Sequence, residues 1–336
     1  MINLTEIVND STTLSRRYLL RDGFAFTSIT HPANVYDAIV IKHPIDASGS
    51  YNRLPSQFLS LEDHIEYINL HKLEKALVIT NNLDFLTNCP TLKYLSIIPV
   101  DNTGNGFDYS PLYKMPQLKS VQCPTVYGKK EEFSTTIDCQ KINGIENIHV
   151  TNLNYLNFNT IRSLRSLGIS NYQKTNLTEA FCSPVLDTLS VFQSKIRTLE
   201  GIQQSSNMQC LYLYNNKSLY DISALRKVKK TLKALRIENC PKITDFSVCG
   251  ELANLELLEL SGSNILPNIH FLREMKGLKT FIFSVNIDDG DLTPCLGLSY
   301  AYSAKNRKHY NLKDNDLPKK QYVRGNESID CWRRLE

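Results

Sequence analysis

Residues 208–225, MQCLYLYNNKSLYDISAL, contain the repeating unit that decides the fold. The unit begins with the pattern apolar-x-x-apolar-x-apolar, in which Leu211 and Leu213 have the two-residue spacing of a strand with one buried face. A weaker copy begins at Leu73 and a displaced one at Val35, and successive clear copies start 19 to 27 residues apart. The clear copies begin at Leu92, Leu118, Ile145, Leu164, Leu186, Met208, Leu232, Leu255 and Leu278.

Each copy predicts one short strand, followed by a segment that returns the chain to the start of the next strand. Such strands bury their apolar faces only by stacking on neighbouring repeats. In this respect the sequence resembles the leucine-rich-repeat family, most closely its bacterial, internalin-like form. Asn216 occupies the family's ladder-asparagine position, and Cys240 occupies it one repeat later. The resemblance implies an incomplete asparagine ladder, because other repeats hold Val100, Leu153, Tyr172, Ser194 and Ser263 there.

The resemblance implies an α/β fold, a leucine-rich-repeat solenoid with a curved parallel sheet on its concave face. Short turns and 3₁₀ pieces are expected on the convex face, because the repeats are too short for long helices there. The predicted divisions are an N-terminal segment and cap (1–72), a solenoid of about ten repeats (73–297) and a C-terminal cap or basic tail (298–336). Ser60–Leu73 is predicted to be a capping helix that shields the first repeat strand, with Ser60 as N-cap and Asp63 three residues later.

The charge distribution excludes general polyanion binding by the repeats. The chain has 38 Lys and Arg against 34 Asp and Glu, and the whole surplus lies in residues 298–336. Affinity for polyanions scales with the number of phosphates neutralised, so the balanced residues 1–297 are unsuited to that role. The sequence has no apolar run of membrane-spanning length, no signal-peptide pattern and no Cys-x-x-Cys pair among nine cysteines. These features favour an unexported, cytoplasmic protein with reduced thiols and no membrane association.

Catalytic and metal-binding motifs are missing from the sequence. None of the common nucleophile, zinc or phosphate-loop patterns occurs. His64 and His71 lie two turns apart on the predicted cap helix, where a solvated helix face is the simpler interpretation. The sequence therefore predicts a protein that is not an enzyme and that has no cofactor, no metal and no small-molecule substrate.

The third, fifth, seventh and eighth residues of each copy are predicted to face the concave side, because side chains alternate along a strand. Only Lys75, Arg236, Glu238 and Glu259 are charged among these positions, and their charges cancel. Few charges and several aromatic residues favour a protein interface, with aromatic side chains that only pack along the sheet as the alternative. The predicted partner-binding residues are Tyr94, His149, Phe192, Tyr212, Tyr214, Arg236, Glu238 and Glu259.

The second residue of each copy is polar, which predicts a solvated rim along the sheet. These residues are Glu74, Lys93, Lys119, Glu146, Arg165, Asp187, Gln209, Lys233, Glu256 and Lys279.

Two functional hypotheses follow. The first is a non-enzymatic bacterial module that binds a protein partner through the concave face; its specific form is an immunity protein that neutralises a toxin. The alternative is binding of nucleic acid or an anionic surface through the C-terminal segment, where basic residues alternate with tyrosines. A structural cap, whose tyrosines cover the last strand, is the simpler interpretation of that segment. The basic residues in question are Lys305, Arg307, Lys308, Lys319 and Lys320.

Overall fold

A computed structural model of the protein describes residues 4–9, 17–29, 36–43, 59–99, 107–122, 137–150, 155–180 and 183–320. The chain forms two compact units, Met1–Phe158 and Asn159–Leu335. Within the described ranges, no helix is both long enough and apolar enough to cross a membrane.

The sheet of the first unit starts with antiparallel strands and continues with parallel ones. Its strands, in spatial order, are β1 (Leu4–Asn9), β2 (Arg17–Arg21), β3 (Phe24–Thr27), β4 (Ala38–His43), β5 (Lys75–Thr80), β6 (Tyr94–Pro99), β7 (Ser120–Gln122) and β9 (Asn147–Val150). Strands β1 to β4 pair antiparallel, and each strand from β4 onward runs parallel to the next. Two short strands, β8 (Ile137–Asp138) and β10 (Tyr155–Leu156), form a separate parallel pair. The displaced copy of the pattern at Val35 thus contributes β4.

The predicted cap helix is present as α1 (Leu61–His71). Its capping box is complete, because Asp63 N–H donates to Ser60 Oγ at 3.0 Å and Ser60 N–H donates to the Asp63 carboxylate at 2.7 Å. The expectation that this helix shields the first repeat strand is wrong. Strand β4 pairs with β5, and strands β1 to β3 extend the sheet further, so the edge of β5 is already occupied.

The second unit contains a parallel sheet of strands in register. Its strands are β11 (Ser166–Ser170), β12 (Thr188–Phe192), β13 (Cys210–Tyr214), β14 (Ala234–Glu238), β15 (Leu257–Ser261), β17 (Thr280–Phe283) and β19 (Tyr300–Ser303). Strands β16 (Ile265–Leu266) and β18 (Asn286–Ile287) form a separate parallel pair. Strand β19 lies beyond residue 297, where the sequence pattern is lost because Ala301 and Ser303 stand at the core positions.

Short 3₁₀ helices return the chain between many of the strands, as predicted. They span Asp84–Asn88, Ser110–Lys114, Cys139–Lys141, Phe158–Thr160, Ile202–Gln204, Ser223–Val228, Ser247–Glu251, His270–Glu274, Thr293–Gly297 and Asp314–Asp316. Several begin with the same turn, in which an Asp or Asn side chain accepts a hydrogen bond from the N–H two residues later. Asp221 accepts from Ser223 at 2.8 Å, for example, and Asp245 accepts from Ser247 at 2.8 Å.

A ladder of buried polar side chains joins consecutive repeats. Asn216 Nδ2 donates to the Val191 carbonyl at 2.8 Å, and Asn216 Oδ1 accepts from Ser194 N–H at 2.9 Å. Ser194 Oγ in turn accepts from Tyr172 N–H at 3.0 Å. Serine therefore continues the ladder by a shorter side chain. Val100 and Leu153 lie outside the described residues.

The predicted ladder residue Ser263 is wrong, because the neighbouring Asn264 fills that role. Asn264 is buried, and its Nδ2 donates to the carbonyls of Cys240 at 3.0 Å and Ile243 at 2.8 Å. The strand before it, β15, ends at Ser261, and the next residue, Gly262, has a φ of +126°, in the region that favours glycine. One extra residue, Ser263, then shifts the ladder by one position. Parallel strands in register, 3₁₀ returns and a side-chain ladder make this the leucine-rich-repeat fold.

Candidate functional site

The sheet of the second unit has one face in the core and one face turned away from it, which we call the open face. Along β13, the fifth and seventh repeat positions, Tyr212 and Tyr214, are partly exposed, whereas Leu211 and Leu213 are fully buried. Third-position residues such as Ala234 are also buried, contrary to the expectation that they form exposed surface. On β13, β14 and β17 these side chains are shorter than their fifth-position neighbours Tyr212, Arg236 and Ile282, and diagonal neighbours in a sheet lie close enough to cover them.

Three aromatic rings lie together on β12 and β13. Phe192 and Tyr212 meet edge to face, with ring centroids 5.4 Å apart and an interplanar angle of 85°. Tyr214 completes the group, with its centroid 6.2 Å from Phe192 and 6.1 Å from Tyr212. Contacts of this kind fix each ring before any partner arrives, so little side-chain freedom is lost on binding. The aromatic side chains therefore do pack on one another along the sheet, and this packing leaves all three rings partly exposed.

The charged residues beside the rings are paired with groups on the neighbouring strand. Arg236 Nε donates to Glu259 Oε2 at 2.7 Å, and the Arg236 guanidinium lies 5.6 Å from the centroid of the Tyr212 ring. Tyr212 Oη donates to Glu238 Oε2 at 2.9 Å. Burial and this hydrogen bond to a carboxylate raise the pKa of Tyr212, so its hydroxyl stays protonated and remains a donor. We call Phe192, Tyr212, Tyr214, Arg236, Glu238 and Glu259 the face cluster.

Two predicted residues, Tyr94 and His149, belong to the first unit. Tyr94 is partly exposed on β6, and Lys75 Nζ lies 5.8 Å from its ring centroid while also pairing with Asp37. His149 lies on β9, and burial lowers its pKa to about 4, so the imidazole is neutral at pH 7.

The register of the second sheet identifies two open-face residues that the sequence interpretation did not include. Tyr212, Arg236 and Glu259 stand side by side on successive strands, and Ile282 and Tyr302 continue the same row on β17 and β19. Ile282 is partly exposed, and Tyr302 is 41% exposed. The sequence already placed Ile282 on the concave side, as the fifth residue of the copy at Leu278, but it was not included among the partner-binding residues. Tyr302 was missed because the copy at Leu298 is too weak to be recognised.

The basic C-terminal segment contributes to the end of the second sheet. Tyr310 is buried, and its hydroxyl accepts from Ile287 N–H at 3.1 Å and donates to the Val285 carbonyl at 3.2 Å. Lys319 Nζ donates to Asp314 at 2.8 Å and lies 5.2 Å from the ring centroids of both Tyr300 and Tyr302. These contacts favour the interpretation of this segment as a structural cap.

The other basic residues of that segment differ in their exposure. Arg307 is partly buried, and one of its guanidinium nitrogens donates to the Ser284 carbonyl at 3.4 Å. Three lysines are exposed, namely Lys305, Lys308 and Lys320.

The second-position residues form pairs between neighbouring repeats. Lys119 pairs with Glu146 at 2.9 Å, Arg165 with Asp187 at 3.2 Å and Lys279 with Glu256 at 2.6 Å; Lys93 also pairs with Glu74. The predicted solvated rim is thus a row of cross-strand ion pairs. The pairs of Lys93 with Glu74 and of Lys119 with Glu146 are exposed on both sides, so each is worth less than about 1 kcal/mol, whereas Asp187 is buried in its pair with Arg165.

The predicted solvated position of His64 is wrong. His64 is buried on α1, where its Nδ1 lies 2.8 Å from the Ser60 carbonyl and its ring meets Phe24 edge to face, with centroids 5.2 Å apart. Burial lowers the pKa of His64, whereas His71 is exposed and stacks on Tyr67. In the part of the chain that the structure describes, no three His, Cys, Asp or Glu side chains converge on a metal-sized site.

The free cysteines in the described ranges, Cys89, Cys139, Cys240, Cys249 and Cys295, are all buried thiols. Burial raises the pKa of Cys240 to about 11 and that of Cys249 to about 12, so both are protonated and inert at neutral pH. Cys210 on β13 is disulfide-bonded. The expectation of entirely reduced thiols therefore does not hold at this residue.

No protein-family model and no curated protein matches the sequence. Among solved structures, internalin InlF of Listeria monocytogenes is similar at 15% identity and a TM-score of 0.36, over 73% of this chain and 77% of that chain. InlJ of the same organism, whose functional domain includes a cysteine ladder, has 12% identity and a TM-score of 0.37, over 72% and 70% of the two chains. A leucine-rich-repeat protein of Leptospira interrogans has 11% identity and a TM-score of 0.27, over 67% and 76%.

These similarities are too distant to transfer a function, and the fold assignment rests on the strands, the 3₁₀ returns and the ladder. Leucine-rich-repeat proteins are usually non-enzymatic scaffolds, and many bind other proteins.

Proposed function

We propose that this chain is a non-enzymatic module that binds a protein partner through the open face of its second unit. The observation that carries the proposal is the face cluster, in which three preorganised aromatic rings lie beside an Arg–Glu pair. Tyr and Arg are enriched among the residues that dominate binding energy at protein interfaces. Arg236 is paired with Glu259, so a partner does not have to neutralise that carboxylate, whereas Glu238 accepts from the neutral Tyr212 hydroxyl and keeps its negative charge.

The test measures partner affinity in matched tyrosine variants of the full chain. The partner is captured from the native cell, purified and titrated against wild type, Tyr212→Ala and the control Tyr220→Ala. Tyr220 is 55% exposed on a return segment rather than on a strand of the open face. Removal of a central aromatic anchor costs about 2 kcal/mol or more, so Tyr212→Ala should raise Kd at least about 30-fold.

The control variant should leave Kd within about twofold, as expected for a position outside the interface. Equal urea-unfolding midpoints for the two variants would show that Tyr212→Ala weakens binding without destabilising the fold. A partner that binds both variants with the same affinity would refute the open-face proposal.

The specific form of the proposal is a bacterial immunity protein that neutralises a toxin. The balanced charge of residues 1–297 favours a toxin that is not strongly basic, because inhibitors of basic nucleases gain association rate from an acidic surface. The toxin encoded beside the gene would be expressed with wild type, Tyr212→Ala or Tyr220→Ala. Protection by wild type and Tyr220→Ala, but not by Tyr212→Ala, is expected. Growth arrest that wild type does not relieve would refute this specific role.

The cytoplasmic location is a separate part of the proposal, and cell fractionation tests it. Recovery of the chain outside the cell would refute the cytoplasmic assignment while leaving the binding proposal intact.

A further inference from the structure

A groove of about 460 Å³ crosses the rim of the second unit, where the chain enters strands β13, β14, β15 and β17. The polar residues that line it include Gln209, Lys230, Lys233, Asn254, Glu256 and Lys279. Three lysines against one glutamate give this groove a net charge of +2, whereas the open-face charges of the second unit, Arg236, Glu238 and Glu259, sum to −1.

The groove coincides with an interruption in the row of rim ion pairs. Glu256 pairs with Lys279 at 2.6 Å, which leaves its other neighbour, Lys233, beside the neutral Gln209 on the next strand. Among the described residues, neither Lys233 nor Lys230 has an ion-pair partner. Two ammonium groups thus remain unpaired at one place, on a rim where four pairs of oppositely charged residues are joined.

The donors around the groove suit a carboxylate. The amide of Asn254 is already committed, because its Nδ2 donates to the Lys230 carbonyl at 2.7 Å. The two unpaired ammonium groups and the side-chain amide of Gln209 are further donors in the lining, and Lys279 donates to Glu256. Lysine binds carboxylates as a point charge without the fixed fork of arginine, so these groups can hold acidic side chains of varied geometry.

The groove and the face cluster lie close together along strand β14. Lys233 directly precedes β14, which carries Arg236 and Glu238, and three residues of extended chain span about 10 Å. A protein lying on the face cluster would therefore reach the groove. A free anion or a nucleic acid would not need the face cluster nearby. The closeness of the two sites therefore favours a protein as the source of the carboxylates.

We propose that the rim groove binds acidic side chains of the protein that contacts the face cluster. This inference rests on the proposed function for the identity of the partner. The groove selects a partner with an acidic edge next to its aromatic-binding surface, and it increases the association rate by complementary charge.

The experiment uses the full chain and a fluorescently labelled hexaglutamate peptide, with binding followed by anisotropy at low salt. The groove variant Lys230→Gln/Lys233→Gln is compared with Lys195→Gln/Lys242→Gln, which removes the same charge from exposed lysines elsewhere in the second unit. The groove variant should bind the peptide about tenfold more weakly than wild type, because each of two partly exposed ion pairs contributes about threefold. The control pair should stay within about twofold, and added salt should weaken wild-type binding.

Equal affinities of the two double variants for the peptide would overturn the proposal. A six-residue oligo-dT that binds the groove more tightly than the peptide, with the same dependence on Lys230 and Lys233, would replace it with nucleic-acid binding. The peptide titration does not depend on Tyr212, so it tests the groove even if the open face proves not to bind the partner. When the captured partner is used, the groove variant should differ from wild type mainly by a lower association rate constant, and its dissociation rate constant should change less.

Discussion

Substitution of Asn216 by alanine should be one of the most destabilising changes in the second unit. Asn216 is completely buried, and its amide satisfies the Val191 carbonyl and the Ser194 N–H at 2.8 and 2.9 Å. Alanine would leave both backbone groups without a partner in a place that water does not reach. Each unsatisfied buried group costs about 1–3 kcal/mol, so the expected loss in the free energy of unfolding is about 2–5 kcal/mol.

Urea unfolding followed by circular dichroism measures this loss, with Asn207→Ala as the matched control. Asn207 is exposed, and its Nδ2 makes one long contact of 3.4 Å with the Pro184 carbonyl, so its removal should cost less than about 0.5 kcal/mol. Asn216→Cys should be milder than Asn216→Ala, because Cys240 occupies the corresponding position in the next repeat and its thiol lies 3.8 Å from the Leu213 carbonyl.

Hydrogen exchange locates the effect. The amide of Ser194 should exchange much faster in Asn216→Ala, because its acceptor is removed, and stacking with nearest neighbours should confine the largest change to the two adjoining repeats. Equal urea midpoints for Asn216→Ala and Asn207→Ala, or an unchanged Ser194 exchange rate, would refute the ladder argument.

Three further outcomes are expected. Gly201→Ala should lower the free energy of unfolding, measured by urea unfolding, by at least about 2 kcal/mol, because Gly201 has φ +102° and a Cβ would meet Thr178 N at 2.4 Å. The control Gly297→Ala should be nearly neutral, because an added Cβ there would have no heavy atom within 4 Å. Stability should fall as pH is lowered from 6.5 towards about 4, because the unfolded chain protonates His149 while the folded chain keeps it neutral; a urea series in which His149→Gln has the same slope would contradict this. Cys249 should resist iodoacetamide in the folded protein and react after unfolding, as mass spectrometry can show, because burial raises its pKa to about 12.

The nucleic-acid alternative needs a test that leaves the end of the second sheet intact. Truncation after Leu298 would remove β19 together with Lys319 and the buried Tyr310, and would therefore damage the end of the sheet. Substitution of the exposed Lys305, Lys308 and Lys320 by glutamine tests the nucleic-acid alternative without that damage. If these changes abolish salt-dependent binding of an oligonucleotide, the alternative gains support; if such binding is absent in wild type, it is refuted.

The sequence by itself determined the repeat, the strands and the face on which Tyr212 and Arg236 lie. It could do so because strand periodicity and repeat spacing are local properties of the chain, visible wherever large apolar residues occupy the core positions. It also contained the capping box of α1, since the N-cap and its partner are three residues apart. The same locality explains the failure at β19, where Ala301 and Ser303 fill core positions without an apolar signal.

Only the tertiary structure decided which groups satisfy one another between repeats. Two of these contacts join residues more than 20 positions apart, namely the pairing of Arg236 with Glu259 and the burial of His64 against Phe24. The use of Asn264 instead of Ser263 in the ladder depends on a turn that is one residue longer than usual. The tertiary structure also decides that Lys233 has no ion-pair partner, because ion pairs on the rim form between residues of neighbouring strands. Residue type sets what each side chain can bind, and the stacking of the repeats decides which partner it meets.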